Sequence, residues 1–233
     1  MSTTSPKPNF LIIMSDEHGA QFSSVYGHPM IETPNMERLG QSGVTVENGY
    51  CNSPLCVPSR LSFMTGKYVS RIQGWDNAKP LSVDQLTWAW LLKSKGYQTI
   101  LNGKMHLLGN HLYGFDKQIT RDLHAEHAHP VVKWKERIED RQLESLELSQ
   151  IGSSPEHKAQ WDVWPEVLSA GPGTSEVISH DDDVEEASIQ FLRNPGEDPF
   201  ALCVGFISPH FPLKVPDKYF YKYYPDNVDL PNL

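Results

Sequence analysis

The clearest chemical pattern in the sequence is Cys56-Val-Pro-Ser-Arg60. The segment Leu61-Ser-Phe-Met-Thr-Gly66 follows it directly. Pro58 and Ser59 can begin a helix, which places Cys56 just before a predicted helix N-terminus. Backbone N–H groups and the positive end of the helix dipole point at whatever binds there, and this favours an oxyanion. Arg60, one turn into the helix, adds a planar cation that can bind an anion through two hydrogen bonds.

Three short apolar runs indicate buried strands, and polar residues that could do chemistry follow each of them at once. The runs are Phe10 to Met14, Tyr97 to Leu101 and Phe200 to Ile207. The polar groups after them, in the same order, are Asp16-Glu17-His18, Gly103-Lys104-Met105-His106 and Ser208-Pro209-His210. Because sites in open α/β sheets form at the carboxyl ends of the strands, these groups are expected to converge on one pocket.

The elements that would position these residues alternate between helix and strand, which favours the α/β class with a largely buried sheet. Thr33 is expected to cap a first helix, since Pro34 follows at its first turn. The segment from Leu86 to Lys95 has helical spacing and stops at a glycine. Asp181 to Asp183 are expected at the N-terminus of a helix that runs to about Arg193, where acidic residues favour the dipole.

The polar stretch from Ala125 to Thr174 is predicted as an insertion or long loop with one helix, from Val132 to Leu148. Such insertions often carry substrate selectivity on a rigid scaffold. Three histidines in it have the loose spacing of a soft-metal site, but neither a cysteine nor a defined turn accompanies them, so a solvated loop is favoured. They are His124, His127 and His129.

The composition excludes several classes of function. The chain has 233 residues, enough for one large domain or two small ones with a real core, and its 39% hydrophobic and 21% charged content is ordinary for a globular protein. The formal net charge of −9 disfavours nucleic acid as a partner. It also gives no long-range attraction for an anion, so local cations must capture any sulfate or phosphate.

The cysteines and the apolar runs suggest a location in the cytoplasm. Cys51, Cys56 and Cys203 make no disulfide framework, and Cys203 is expected in the core. The first apolar run is too short for a signal peptide, and no stretch approaches the roughly 20 apolar residues of a membrane span. No membrane partner is therefore expected.

The motif at Cys56 resembles the signature at which type I sulfatases convert cysteine to formylglycine. Further segments resemble that family in the same order along the chain, about residues 9 to 231. They are Asn9 to Asp16, Thr33 to Leu39, Gly96 to His106 and Pro209 to Pro212. Asp76-Asn77-Ala78, Gly103-Lys104-Met105-His106 and Tyr113-Gly-Phe-Asp116 look most like the choline-sulfatase-like branch.

The resemblance implies an alkaline-phosphatase-like α/β sandwich, a mixed and mostly parallel sheet with helices on both faces. Residues 1–233 would form the N-terminal part of a sulfatase catalytic domain, with the insertion at about 125–174 and the C-terminal part absent. The implied reaction is hydrolysis of a small-molecule sulfate monoester to alcohol and sulfate. A formylglycine hydrate derived from Cys56 by a maturation enzyme would be the nucleophile, and the full-length enzyme could form a homo-oligomer.

The resemblance also implies roles for single residues. Arg60 and Lys104 would hold the developing negative charge on the sulfate, and Asn77 would donate an amide N–H to it. His210 would protonate the leaving alcohol or hold its sulfate oxygen. His106 would take a proton from the second hydroxyl of the hydrate so that sulfate is expelled.

A hard, oxygen-bound cation is implied as well, with Ca²⁺ favoured and Mg²⁺ or Mn²⁺ as alternatives. Its expected ligands are Asp16, Glu17 and the group at position 56. Two departures from the family stand out. Many relatives carry two adjacent aspartates where this chain has Asp16-Glu17, and the family's later pair of metal ligands has no clear match, since Asp226-Asn227 comes too soon after His210.

Two other functions stay open on the sequence. The same nucleophile and cations would serve a phosphonate or phosphodiester hydrolase of the same superfamily. Because so few metal ligands are found and the segment from Pro225 to Leu233 does not look like a closing element, the chain is expected to be inactive alone. A non-catalytic, anion-binding fragment is the corresponding alternative.

Overall fold

The computed structural model of the protein describes residues 7–109, 111–123 and 169–225. The strands of its main sheet are β1 (Phe10–Ser15), β2 (Gln98–Gly103), β3 (Lys117–Gln118) and β5 (Phe200–Phe206). They lie in the order β1-β5-β2-β3, and every pair is parallel. Two short parallel strands, β4 (Gly171–Pro172) and β6 (Lys214–Val215), form a separate pair.

Six α-helices accompany these strands in the described residues. They are α1 (Pro34–Ser42), α2 (Cys56–Thr65), α3 (Val69–Ile72), α4 (Trp88–Ser94), α5 (Glu176–Arg193) and α6 (Asp217–Tyr223). The sequence-based prediction of the α/β class is confirmed, because parallel strands require crossover connections and helices supply them here.

The strand register brings three chain segments to one edge of the sheet. Ser15 is level with Phe206 across the β1–β5 pair, and Gly103 is level with Gly205 across the β2–β5 pair. The segments that follow β1, β2 and β5 therefore leave the sheet side by side. This is the convergence expected from the three polar groups.

The sheet is covered on both faces, because side chains alternate along its central strand. Cys203 of β5 belongs to a buried cluster with Val57 and Leu61 of α2. The neighbouring Leu202 belongs to a second cluster, on the other face, with Val184 of α5. All of β5 up to Gly205 is buried for this reason.

β1 departs from the prediction of a buried strand. Phe10, Leu11 and Ile13 are 39%, 46% and 59% exposed. Among the described residues β1 pairs only with β5 and lies at the edge of the sheet, so one side of it has no neighbour there. The predicted strand itself is confirmed, and only its expected burial is wrong.

One predicted helix cap and one predicted helix start also differ from the structure. Thr33 stands at the N-cap position of α1, but its hydroxyl pairs with that of Ser24 at 2.8 Å and makes no cap hydrogen bond to the helix. The helix α5 begins at Glu176, where the Ser175 hydroxyl accepts the N–H of Ile178. Asp181 to Asp183 therefore lie inside the helix, because Ser175 offers an earlier cap of a favoured type.

Several predictions lie outside the described residues. These are the helix from Val132 to Leu148, the three histidines at 124, 127 and 129, and most of the insertion at 125–174. No helix among the described residues combines the length and the apolar character that crossing a membrane would need.

Two glycines allow the loops after β2 and β5 to approach closely. The Lys104 N–H donates to the Gly205 carbonyl at 2.8 Å. A Cβ at Gly205 would lie 2.7 Å from the Lys104 carbonyl carbon, and one at Gly103 would lie 2.9 Å from a Val184 methyl. Gly103 also has a φ of +78°, which favours glycine. Backbone thus occupies the space that a side chain would need.

Replacing Gly205 with alanine should therefore strongly destabilise the fold. Because the clash is with backbone, it cannot be relieved by a rotamer change, and we expect the free energy of unfolding to fall by about 3 kcal/mol or more. Urea denaturation followed by tryptophan fluorescence measures this. Gly49→Ala is the control, since a Cβ there meets nothing within 4 Å, and it should change stability by less than about 0.5 kcal/mol. Equal stability of the two variants would contradict the account of this close approach.

Candidate active site

Cys56 is the first residue of α2, with Leu55 at the N-cap position. Its side chain is half-buried at the edge where the three strands end. The next backbone N–H, that of Val57, donates to the Asn77 side-chain oxygen at 2.9 Å. The helix α2 thus begins two residues before Pro58, the predicted start, and Asn77 satisfies one of its free amides.

Asp16 is the centre of the site's charge arrangement. Its carboxylate receives a hydrogen bond from Lys104 Nζ through Oδ2 and lies 3.3 Å from Arg60 Nη2 through Oδ1. The Lys104 side chain is fully buried, and Arg60 is nearly so. Two buried cations need a counter-charge, and Asp16 supplies it for both.

The charge of Asp16 is maintained by these neighbours. Burial acts to raise the pKa of the Asp16 carboxyl, but the hydrogen bond from Lys104 and the charge of Arg60 outweigh burial and hold that pKa below its usual value. The Arg60 guanidinium also donates to the Lys104 carbonyl at 2.8 Å, so it orients the loop after β2 as well. Asp16, Arg60 and Lys104 therefore form one ionised cluster.

The Cys56 sulfur borders this cluster. It lies 4.0 Å from Asp16 Oδ2 and 4.0 Å from Lys104 Nζ. Burial raises the pKa of the Cys56 thiol, and the attraction of Lys104 does not fully offset it. Because the thiolate and not the thiol is the nucleophile, unmodified Cys56 is protonated and unreactive near neutral pH.

His210 faces the same edge from the loop after β5. The His210 ring is buried. Because a carbonyl oxygen can only accept a hydrogen bond, Nδ1 of this ring donates to the Phe211 carbonyl at 2.9 Å. Its Nε2 lies 3.7 Å from Glu17 Oε1. The Glu17 side chain is 53% exposed, and its backbone has a φ of +57°.

His106 is held by its backbone. It is buried and has a φ of +55°, in the left-handed region. Both its N–H and that of Met105 donate to Asp122 Oδ2, at 2.5 and 2.9 Å. Burial lowers the pKa of the His106 ring to about 4, with the cations Lys104 and Arg60 acting in the same direction and Asp122 opposing it. The ring is therefore neutral near pH 7 and can accept a proton.

The donor atoms of three residues lie close enough to hold one metal ion. Ligand atoms of Asp16, Cys56 and His210 are all within 4.8 Å of one another. A carboxylate, a sulfur and an imidazole make a mixed set, and an oxygen at position 56 would suit a hard cation better. The group fits a divalent cation in number and spacing, although Glu17, expected as a ligand, is not part of it.

The structure brings together most of the residues singled out from sequence. Asp16 contacts Arg60 and Lys104, and the Cys56 sulfur lies 4.0 Å from both Asp16 and Lys104. His210 joins them through the group of potential ligands. The others lie nearby in the chain fold: His106 two residues after Lys104, Glu17 beside His210, and the exposed Asn77 at the start of α2. Sequence reasoning missed Asp122, and it interpreted Asp181 only as a helix-terminal acid.

The chain is similar in sequence and in fold to known sulfatases. The sulfatase family model matches residues 8–229. A choline-sulfatase of Rhizobium meliloti (strain 1021) is 30% identical over 225 residues, which cover 90% of this chain and 40% of the relative. A solved structure of a protein in complex with its substrate D-glucosamine-2-N,6-O-disulfate has a TM-score of 0.61 at 25% identity and covers 88% of this chain and 35% of that one.

A further solved structure, a phosphonate monoester hydrolase of Agrobacterium radiobacter, has a TM-score of 0.68 over 97% of this chain and 45% of that one. At 21% identity, this likeness shows the fold alone. The match of the family model over nearly the whole chain shows that the protein belongs to the sulfatase family, with its alkaline-phosphatase-like fold. The chain spans 40% of the length of the choline-sulfatase it matches.

Replacing Asp16 with asparagine tests the charge cluster and the metal group together. Two buried cations would lose their counter-charge, so we expect the free energy of unfolding to fall by about 3–5 kcal/mol even with EDTA present. A divalent cation that binds only the folded state should raise the Tm of the wild type, and this rise should vanish in the variant. Thermal melts with and without Ca²⁺, Mg²⁺ or Mn²⁺ measure both effects.

Asp182→Asn is the matched control, because Asp182 is an exposed acid on α5. It should leave both the stability and the cation response unchanged. An Asp16→Asn protein as stable as this control would show that the carboxylate does not hold the two cations. A full cation response in Asp16→Asn would remove Asp16 from the metal site.

Proposed function

We propose that this chain carries the catalytic centre of a sulfuric ester hydrolase, which cleaves a small-molecule sulfate monoester to alcohol and sulfate. One observation carries the proposal: in a member of the sulfatase family, Cys56 begins a helix directly beside buried Lys104 and Arg60. The two cations and the helix N-terminus favour a tetrahedral oxyanion next to position 56.

Position 56 supplies the nucleophile in this proposal. The thiol itself suits the reaction poorly, because it is protonated and because a thiol–sulfate adduct would have no easy exit. Formylglycine, formed from Cys56 by a maturation enzyme, would as its hydrate offer one oxygen for attack on sulfur and a second hydroxyl through which sulfate can leave. The side chain is half-buried at the helix N-terminus, where Val57 N–H is already fixed by Asn77.

A divalent cation, with Ca²⁺ favoured over Mg²⁺ or Mn²⁺, would be held by Asp16 and the oxygen at position 56, and would act as a Lewis acid. Glu17 and His210 are the neighbouring candidates for further contacts, since the two side chains lie 3.7 Å apart at this edge. Asp16 is already ionised and nearly buried, which suits it to hold a cation without a proton to displace.

Lys104 and Arg60 stabilise the charge that develops on the sulfate. Both are buried, so water screens them little and their attraction for an anion is strong. Arg60 is fixed by its bond to the Lys104 carbonyl, and this preorganisation avoids rearrangement during the reaction. The amide nitrogen of the exposed Asn77 adds a donor, because its oxygen is occupied by Val57.

Two histidines move protons. His210 gives a proton to the leaving alcohol or holds its sulfate oxygen, and His106 takes a proton from the second hydroxyl at position 56. The different environments of the two rings support separate roles. His210 is fixed by Phe211 beside the exposed Glu17, whereas His106 lies in a buried loop with its ring neutral.

Phosphonate esters and phosphodiesters are the competing substrate classes, because the same cations would bind phosphorus oxyanions. Steady-state rates on matched aryl sulfate, phosphonate and phosphodiester substrates separate the two. We expect the highest kcat/KM on the sulfate. A higher value on either phosphorus ester would transfer the assignment to that class.

Conversion of Cys56 is directly testable. In a competent host, the tryptic peptide that contains Cys56 should lose sulfur and gain oxygen, as mass spectrometry would detect. Cys56→Ala should lower turnover of an aryl sulfate by about 10⁴-fold or more while the Tm is retained, because one side chain supplies the nucleophile. Cys51→Ala is the control, since this exposed cysteine lies outside the charge cluster. An active protein whose Cys56 remains a thiol would contradict this mechanism.

The two histidine roles should separate kinetically in the full-length protein. His210→Ala should lose about 10²-fold or more on alkyl sulfates and far less on activated aryl sulfates, because acid catalysis matters most for basic leaving groups. His106→Ala should leave sulfate attached to the protein, which rapid quenching and mass spectrometry would reveal. Equal losses of His210→Ala on both substrate types would argue against its role as the acid.

A further inference from the structure

Two aspartates outside the charge cluster hold the loops that carry His106 and His210. The first is Asp122, which is 4% exposed. Its carboxylate accepts two backbone amides in succession, Met105 N–H and His106 N–H. A carboxylate is a stronger acceptor than a neutral carbonyl, so these two hydrogen bonds help to maintain the left-handed backbone of His106.

The second aspartate makes the same kind of contact to the loop after β5. Asp181 on α5 accepts the N–H of Ile207 at 2.8 Å and that of Ser208 at 2.7 Å, through separate oxygens. The Ser208 carbonyl in turn accepts a hydrogen bond from Ser15 at 2.8 Å, next to Asp16. This loop leads directly to His210.

His180 connects the two arrangements. It precedes Asp181 on α5, and its Nδ1 lies 3.6 Å from Asp181 Oδ1. Its Nε2 donates to the Arg121 carbonyl at 2.6 Å, and Arg121 immediately precedes Asp122. One turn of α5 therefore contacts the loop after β5 through Asp181 and the segment that carries Asp122 through His180.

We infer that Asp122 and the His180–Asp181 pair are positioning residues that set the places of His106 and His210 in the reaction. This inference rests on the proposed function for its kinetic consequences. Each aspartate acts through the backbone of one histidine's loop, so the two should affect different steps. A displacement of about 1 Å in such a loop can cost about 10²-fold in rate.

A role in general stability alone does not account for this arrangement. Burial acts to raise the pKa of Asp181, but the hydrogen bonds from His180, Ile207 and Ser208 keep that pKa below its usual value, so this partly buried group is charged. Its neighbours Asp182 and Asp183 on the same helix are exposed. Asp181 thus differs from these solvent-exposed acids, because its carboxylate accepts the backbone amides of Ile207 and Ser208.

The test compares Asp122→Asn, Asp181→Asn and the exposed control Asp182→Asn in the full-length protein. Asparagine preserves shape but loses the charge and one acceptor oxygen. Asp181→Asn should lower kcat on alkyl sulfates by about 10- to 100-fold with little change in KM, and should affect aryl sulfates much less. Asp122→Asn should instead leave sulfate on the protein, as expected for loss of His106. Asp182→Asn should match the wild type.

An activity-independent measurement separates failure of this inference from failure of the proposed function. NMR signals of the histidine rings should move for His210 in Asp181→Asn and for His106 in Asp122→Asn, with neither moving in Asp182→Asn. Amide exchange at Ser208 and at His106 should rise by about tenfold or more in the respective variants. If the wild type has no sulfatase activity but the two variants show these ring shifts, the proposed function is wrong and the positioning roles of the aspartates are supported.

Unchanged ring signals and amide exchange in both variants would overturn the inference, whatever the activity. Asp181→Glu is the second variant, in case Asp181→Asn does not fold, because it keeps the charge and moves the carboxylate. It should fold and still move the His210 signals. A Glu variant that leaves those signals and alkyl-sulfate turnover at wild-type values would equally overturn the role of Asp181.

Discussion

The rest of the site depends on the neutralisation of two buried cations by a single carboxylate. Lys104 and Arg60 come from different elements, the loop after β2 and the helix α2, and Asp16 after β1 is the counter-charge that both of them contact. Desolvating an ion costs several kcal/mol, so this three-way contact forms only when all three elements are in place. The charge cluster therefore couples the assembly of the sheet to the assembly of the proposed active site.

Around that cluster the fold uses hydrogen bonds to fix segments that have no strand partner. Asn77 caps α2, Asp122 holds the loop after β2, and Asp181 holds the loop after β5. In each case a side chain from another element accepts backbone N–H groups at the edge of the sheet. The proposed anion site would benefit from this rigidity, because preorganised donors stabilise charge without rearranging during reaction.

The local elements of this structure and the meeting of three polar segments at one edge of the sheet were predictable from sequence, but the individual hydrogen bonds between distant residues were not. The strands and the helix at Cys56 follow from apolar runs and a proline, which act over a few residues. Asp181 was misinterpreted because its partners are backbone amides 26 and 27 residues away, and backbone amides leave no trace in the sequence. The exposure of β1 was missed for a similar reason, since an apolar run shows that a strand forms but not how many neighbours it has.

The strand order has a consequence for the time at which the site forms during synthesis. β1 and β2 do not pair with each other, and both pair with β5, which comes near residue 200. Until β5 leaves the ribosome, the segment around Cys56 has no completed sheet to pack on. At about 5–20 residues per second, this interval lasts on the order of ten seconds. A modifying enzyme that needs an extended, accessible peptide at Cys56 would meet it during that interval, before the chain folds over the cysteine.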